Sequence, residues 1–161
     1  MSTRANIKLT FGKNQLWLYA HYDGYPEHRG VDLATVLKVA WGTHSVGESP
    51  VDDQWFYNDV VSTVAALLIK RSTSSGDKIE ITNQEHGDIE YLYEISANPD
   101  GLTGLHFQVS VVSRDEYGDN EHKDFYSAWV GTDETPVEAV IEGMKRATSN
   151  FNLDGRKITN G

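Results

Sequence analysis

The sequence predicts an α+β fold: a single two-layer domain with about six mostly antiparallel strands and three helices packed on the sheet. Two patterns and one constraint predict it. Short segments alternate apolar and polar residues as strands do, and longer segments repeat apolar residues at helical spacing. The strands follow one another too closely for right-handed parallel crossovers throughout, and each apolar helix stripe needs a partner layer.

Length and composition favour one domain. A chain of 161 residues with 39% hydrophobic residues is large enough to bury a core without disulfides or metals. We predict one domain over residues 1–151 and a loosely held tail over 152–161. Cysteine is absent, which excludes disulfides, thiolate zinc sites and cysteine nucleophiles. No stretch approaches the ~20 apolar residues of a membrane helix, and the first residues lack a secretory apolar region, so we expect a cytoplasmic protein that does not enter membranes.

The first two strands form a predicted hairpin. Apolar residues alternate from Ala5 to Phe11 and again from Leu16 to Ala20, around the turn Gly12-Lys13-Asn14. The opposite face of the second strand carries aromatic rings, namely Trp17, Tyr19 and His21. We expect that face to be covered or used.

Apolar residues at helical spacing, together with residues typical of helix ends, predict three helices. The first is predicted over residues 30–41 with Gly42 as its stop, and the second begins near Asp52 and Asp53 and ends near residue 71. The last has Thr135 as N-cap, Pro136 at its first position and an apolar stripe that runs to residue 151.

The remaining strands lie between the second and third helices. Alternation on both sides of His86-Gly87-Asp88 predicts a second hairpin, with strands near residues 79–81 and 89–95. Two further strands are predicted near residues 105–111 and 126–130. On this pattern Tyr91, Tyr93 and Trp129 are expected to be core aromatics.

The net charge of the chain limits the kinds of partner that it can bind. A formal net charge of −10 disfavours direct binding to nucleic acid, since that affinity comes from Lys and Arg. Acids dominate residues 112–142, and this patch is either a solvated rim or a surface for a basic partner such as a nucleic-acid-binding host protein. The candidate partner-binding residues are Asp115, Glu116, Asp119, Glu121, Asp133 and Glu134.

Two turns carry the same pairing of histidine with aspartate. They are His21-Tyr22-Asp23-Gly24-Tyr25-Pro26 and His86-Gly87-Asp88, and Arg4 begins the strand beside the first. If the turns are adjacent in space, they form one site. The candidate ligand-binding residues are Arg4, Trp17, Tyr19, His21, Asp23, Tyr25, His86, Asp88 and Glu90.

This set permits three interpretations. Arg4 and turn amides can hold a phosphate while the aromatic rings stack a base and the acids accept from a sugar or base edge. Histidines and aspartates can instead ligate a divalent metal for hydrolysis. In the third interpretation, the aspartates only cap their own turns. The chain has no Gly-rich phosphate loop, nucleophile elbow or His-Glu-x-x-His motif, so we lean against an enzyme and expect no cofactor.

Three segments together resemble a known family. They are residues 2–7 (Ser-Thr-Arg-Ala-Asn-Ile), the His-x-Asp-Gly-Tyr-Pro turn at 21–26, and residues 86–93 (His-Gly-Asp-Ile-Glu-Tyr-Leu-Tyr). They resemble a family of small uncharacterised proteins of bacteriophages and bacterial genomes. The resemblance covers about the first 95 residues and implies a phage or mobile-element setting, with no activity to carry over. In that setting a counter-defence role gains weight.

The leading hypothesis is therefore a small-ligand or nucleotide-binding accessory protein of phage origin, which acts by sequestering a nucleotide signal. One alternative is an acidic inhibitor of a host nucleic-acid-binding defence complex. The other is a metal-dependent hydrolase. The sequence leaves the oligomeric state open.

Overall fold

The computed structural model describes residues 3–44, 54–74, 78–97, 104–131 and 137–160, with the backbone alone for 54–55, 73–74 and 150–160. It confirms the α+β fold. Six strands form one sheet, and three helices pack on it. The strands are β1 (Ala5–Phe11), β2 (Asn14–Ala20), β3 (Ile79–Thr82), β4 (Tyr91–Ala97), β5 (Leu105–Arg114) and β6 (Asn120–Val130); the helices are α1 (Val31–His44), α2 (Gln54–Ser74) and α3 (Val137–Asn160).

The strand order is β3-β2-β1-β4-β5-β6. Every neighbouring pair is antiparallel except β1 and β4, which run parallel. The first predicted hairpin is confirmed, and its turn contains Gly12 at φ 61°, a left-handed conformation that glycine adopts without strain. β5 and β6 form a long hairpin with a bulge beside Val109 and Ser110.

The second predicted hairpin is wrong. β3 pairs with the free edge of β2, and β4 pairs with β1. Residues 83–90, which we call the strap, therefore cross over two strands instead of turning between neighbours. Ile89 of the strap is buried against Tyr19, Leu92 and Val112, which shows that the strap covers the sheet face opposite the helices. Alternation predicts a strand and its faces but does not identify the strand it pairs with.

The core lies between the three helices and the face of the sheet that they cover. α1 contributes Leu33, Leu37 and Ala40, α2 contributes Val60, Val64 and Leu68, and α3 contributes Val140 and Met144, all fully buried. Each large aliphatic side chain buried in this way stabilises the fold by about 1.5–3 kcal/mol. These stripes match the helical spacing of the sequence.

Helix ends differ from the predictions. A five-residue π-helical turn, Pro26–Gly30, precedes α1, and α1 continues past Gly42 to His44. α3 extends to Asn160, beyond the predicted end at residue 151, and no proline interrupts residues 152–160. The predicted first-turn acids Asp52 and Asp53 and the predicted caps Thr135 and Pro136 lie outside the described residues. How firmly residues 152–161 are held stays a prediction.

The aromatic residues divide between the two faces of the sheet. Tyr93 is fully buried in the helix-side core as predicted, with Tyr91 partly buried against the same core. Trp129 is not a core residue. Its ring is half-buried and stacks on His106 with 4.6 Å between centroids, on the face that the helices do not cover. Within the described residues, no helix combines the length and apolar character needed to cross a bilayer.

Candidate functional site

The two histidine-containing turns meet at the ring of Tyr19. His21 contacts this ring edge-on at 4.6 Å between centroids, and His86 stacks on it at 4.1 Å with an angle of 23°. The Tyr19 hydroxyl donates a hydrogen bond of 2.8 Å to Oδ2 of Asp88. The two turns are therefore adjacent in space, as the hypothesis of one shared site requires. The turn at His86 belongs to a crossover, however, and not to a hairpin.

A buried asparagine on β1 fixes the strap in place. Asn6 accepts a 2.7 Å hydrogen bond from the His86 backbone N–H and donates a 2.9 Å bond to the carbonyl of Leu18. Its side chain is completely buried, so both bonds form away from water, where leaving either group unpaired would be costly. The His86 imidazole also lies 2.8 Å from the Thr82 hydroxyl. His86 is thus held from three directions.

The β5–β6 hairpin clamps the other side of the strap. Asn120 donates to Glu85 at 2.5 Å and to the His86 carbonyl at 3.0 Å. His122 Nε2 lies 2.9 Å from the Glu85 carboxylate, and Arg114 donates to the Ile89 carbonyl at 3.0 Å. Sequence reasoning missed Glu85, Asn120 and His122, because only the crossover brings these distant segments together.

Arg4 lies between the two turns. The Gly24 N–H donates to the Thr3 carbonyl and the Glu90 N–H donates to the Arg4 carbonyl, each at 2.9 Å. The Arg4 guanidinium Nε lies 3.6 Å from Oδ2 of Asp88, and 46% of its side chain is exposed. This position between the strap and the first turn gives the site a solvent-facing guanidinium.

The first turn is rigid for a packing reason. A Cβ on Gly24 would lie 2.8 Å from the Thr3 carbonyl oxygen and 2.9 Å from the Ala5 Cβ, so only glycine allows this approach. Beneath it, the buried Tyr93 hydroxyl donates to the Gly24 carbonyl at 2.5 Å. Burial raises the pKa of Tyr93 well above its usual value, and the hydroxyl therefore remains a donor. Arg29, also buried, donates to the Tyr22 carbonyl at 3.1 Å.

Four other residues of the first turn and β2 take different positions. Asp23 is exposed and has a left-handed φ of 52°. Tyr25 packs edge-on against His28 at 4.7 Å, whereas Tyr22, one of the aromatic residues that the sequence offers for stacking a base, is 50% exposed beside His21. Trp17 pairs across the strands with Lys8, whose Nζ lies 5.1 Å from the ring centroid. Trp17 is therefore displaced from Arg4 along the sheet.

The electrostatics of the site combine one guanidinium with several acids. Burial and then the hydrogen bond to Asp88 raise the pKa of Tyr19 to about 12, so Tyr19 donates at all physiological pH values. The His21 Nε2 atom lies 3.1 Å from Oε1 of Glu80. Glu80 is a further site residue that only the pairing of β3 with β2 reveals.

Metal ligation finds no support in this geometry. Among the residues that the structure describes, no group of three or more His, Asp or Glu side chains is arranged to hold a metal ion. His21 faces Glu80 and His86 faces Thr82, so the two imidazoles do not converge on one point.

The acidic patch includes the tip of the β5–β6 hairpin. Asp115 caps its own turn by accepting from the N–H groups of Tyr117 and Asp119, each at 2.8 Å. Glu116, Asp119 and Glu121 are exposed, and the ring of Tyr117 is 80% exposed between them. Asp133 and Glu134 lie outside the described residues.

Comparisons with protein-family models, curated proteins and solved structures give no significant match to this chain.

Proposed function

We propose that the chain binds a small nucleotide at the surface where the strap, the first turn and the start of β1 meet. One observation carries the proposal: Arg4, a half-exposed guanidinium, is flanked by both turns and has Asp88 on one side. Anions are favoured ligands of arginine because its planar donors match phosphate oxygens. The surrounding carboxylates and tyrosine then set which anion fits.

The carboxylates near Arg4 favour a phosphate group that carries a single negative charge. The Asp88 carboxylate lies beside Arg4. The Glu80 carboxylate lies beside His21, which belongs to the first turn. A phosphate monoester carries about −1.5 to −2 at pH 7, and the neighbouring carboxylates would repel the second charge. A phosphodiester, with one charge, is the better partner for one guanidinium. Cyclic mononucleotides contain one such phosphodiester, and cyclic dinucleotides contain two.

The base has an aromatic surface available. Tyr22 is half-exposed and lies 6.2 Å from the His21 ring between centroids. Stacking of a base on an aromatic side chain contributes roughly 1–3 kcal/mol. Asp23, exposed on the same turn, can accept a hydrogen bond from a ribose hydroxyl or a base N–H. The resemblance to phage proteins adds a biological purpose, in which this binding sequesters a nucleotide signal and counters host defence.

A ligand panel tests this function. Thermal unfolding and calorimetric titration should detect a cyclic nucleotide but give weaker binding for the matching nucleoside triphosphate. A ligand at one hundred times its dissociation constant adds roughly 2.7 kcal/mol of stability, which is an easily measured shift. If no nucleotide of any class changes the unfolding temperature, the proposal is wrong.

Two variants locate the binding. Arg4→Gln should weaken phosphodiester binding by about tenfold or more, since a charge-assisted hydrogen bond is lost. Arg146→Gln removes an exposed arginine from α3 and should leave the affinity unchanged. Equal effects of the two variants would mean that the ligand responds only to the overall charge.

A second candidate function is the acidic inhibitor of a basic host protein. It is favoured by Tyr117, an exposed ring at the centre of an acidic turn, because aromatic anchors contribute strongly to protein interfaces. Replacing Glu116 and Asp119 with lysine should abolish capture of a purified basic DNA-binding protein at low salt. The same change should leave nucleotide affinity intact.

A further inference from the structure

The strap covers only one end of the sheet face that lies opposite the helices, through Ile89. Two rows of side chains farther along this face are partly or fully exposed. The first row consists of Trp17, Lys8, Glu94, Gln108 and Ser127, and the second row ends in the pair His106 and Trp129. We call these residues the open face. It begins where the Tyr19 cluster ends.

Indole rings mark both sides of the open face. Trp17 lies on β2 and Trp129 on β6, and the strand order separates them by four strand spacings, or roughly 19 Å at about 4.8 Å for each spacing. Each ring is held by a neighbour on the adjacent strand. The Trp129 ring stacks on His106 with 4.6 Å between centroids, and Lys8 Nζ lies 5.1 Å from the Trp17 centroid. The rings therefore bound a surface long enough for a ligand of several linked rings.

Polar groups between the indoles are held in fixed orientations. The Gln108 amide donates a 3.0 Å hydrogen bond to Oδ1 of Asp124, and His106 Nε2 lies 2.7 Å from the Ser127 hydroxyl oxygen. The Gln108 amide also has a carbonyl oxygen and a second N–H. Within the described ranges, no group donates a hydrogen bond to the partly exposed Glu94 carboxylate. The open face thus presents oriented donors and acceptors to solvent.

The charge of the open face disfavours anionic ligands. Among the described residues of this surface, Lys8 is outnumbered by the carboxylates of Glu94 and Asp124. Burial lowers the pKa of His106 below its usual value, so its imidazole is neutral at pH 7. Aromatic rings on an open sheet can stack the bases of single-stranded nucleic acid, but that binding needs cations along the phosphates. A neutral ligand suits this surface better.

We propose that the open face binds a short neutral oligosaccharide. Its sugar rings stack on Trp129 and Trp17, because the ring C–H groups carry partial positive charge and meet the negative face of the indole. Its hydroxyl groups pair with the Glu94 carboxylate and the Gln108 amide, since a hydroxyl both donates and accepts. A hydroxyl that donates to a carboxylate forms a charge-assisted bond, which is stronger than a neutral one. This site is independent of the proposed nucleotide function.

Nuclear magnetic resonance titration of the whole chain tests the proposal with three neutral tetrasaccharides, which are cellotetraose, maltotetraose and N-acetylchitotetraose. At least one of them should give saturable shifts at the indole N–H groups of Trp17 and Trp129, while the indole of Trp41, which packs against the helix-side core, stays unchanged. Tetragalacturonate, an anionic tetrasaccharide, and a short deoxyoligonucleotide should bind more weakly. No saturable shift with any neutral tetrasaccharide, or equal or tighter binding of either anion, would overturn the proposal.

Matched variants separate the open face from general charge effects. Glu94→Ala should weaken binding of the tetrasaccharide that gave saturable shifts by about tenfold or more, since a hydrogen bond to a charged group is lost. Asp59→Ala removes an exposed carboxylate from α2, which is the same charge change in the other layer, and should leave the affinity unchanged. Trp129→Ala should abolish binding. If Trp129→Ala fails to fold, the carboxylate pair decides: equal effects at Glu94 and Asp59 reject the site.

Discussion

At the scale of single residues, the tightest constraint on the candidate site is the contact of Gly24 with the Thr3 carbonyl oxygen. This contact joins the first turn to the start of β1 and so positions Arg4. From the sequence motif alone, Gly24 is predicted to be required for the conformation of the turn. The structure assigns it a different role, which is close approach of two backbone segments.

Replacing Gly24 with alanine should destabilise the protein by roughly 1–3 kcal/mol, because the new Cβ would meet backbone atoms that cannot move aside. Gly42→Ala is the matched control. Gly42 lies within α1 with open space around its Cβ position, so alanine there should be neutral or stabilise by about 0.5–1 kcal/mol. Urea unfolding of both variants measures the difference, and equal effects would contradict the steric explanation.

Tyr19 should make stability depend on alkaline pH. Its pKa is raised to about 12 in the folded protein, so the fold favours the protonated phenol. That stabilisation is complete below the unfolded pKa of about 10 and is lost as pH rises from about 10 to 12.

Tyr19→Phe should therefore flatten the fall in unfolding free energy between pH 10 and 12, while costing about 1 kcal/mol at pH 8 for the lost hydrogen bond to Asp88. Tyr117→Phe alters an exposed ring and should leave the profile unchanged. Denaturant unfolding at several pH values gives both curves. An unchanged slope in Tyr19→Phe would show that other groups cause the loss.

At the scale of elements, the strap explains both the success and the failure of sequence reasoning. Alternation correctly indicated β1, β2 and β4 and their buried faces, because period and burial are local properties. The pairing of β3 with β2 is not local, so the residues around His86 were assigned to a hairpin turn. The contacts of Asn6 and Asn120 with this region, and that of Glu80 with His21, follow from that pairing and could not be predicted.

Asn6→Ala should release the strap. It leaves the Leu18 carbonyl and the His86 N–H without their side-chain partner, at a cost of about 2–4 kcal/mol. Amide hydrogen exchange at His86 and Glu90 should accelerate more than exchange in the β1–β2 hairpin. Asn83→Ala, at an exposed position of the same strap, serves as control. Uniform acceleration across the sheet would mean that Asn6 stabilises the whole fold and not the strap.

At the scale of the whole molecule, the net charge of −10 acts on stability as well as on partners. Like charges repel one another more in the compact state than in the unfolded chain. The chain buries a continuous core on one side of its sheet, which offsets that repulsion.

Salt should consequently stabilise the protein. Raising sodium chloride from about 0.01 M to 0.15 M shortens the screening length from roughly 30 Å to 8 Å, and the unfolding temperature should rise. The variant with lysine at positions 116 and 119 carries less net negative charge and should show a smaller rise. A fall in unfolding temperature with salt would indicate that specific ion pairs outweigh the general repulsion.

The parallel pairing of β1 with β4 has a consequence for synthesis. The hairpin of β1 and β2 is complete once residue 20 has left the ribosome, yet the strands that flank it, β3 and β4, begin only at Ile79 and Tyr91. Both of its edges therefore stay unpaired while residues 21–78, more than a third of the chain, are translated. An open edge is a template for pairing with another chain, so a nascent copy of this protein is most vulnerable to aggregation during that interval.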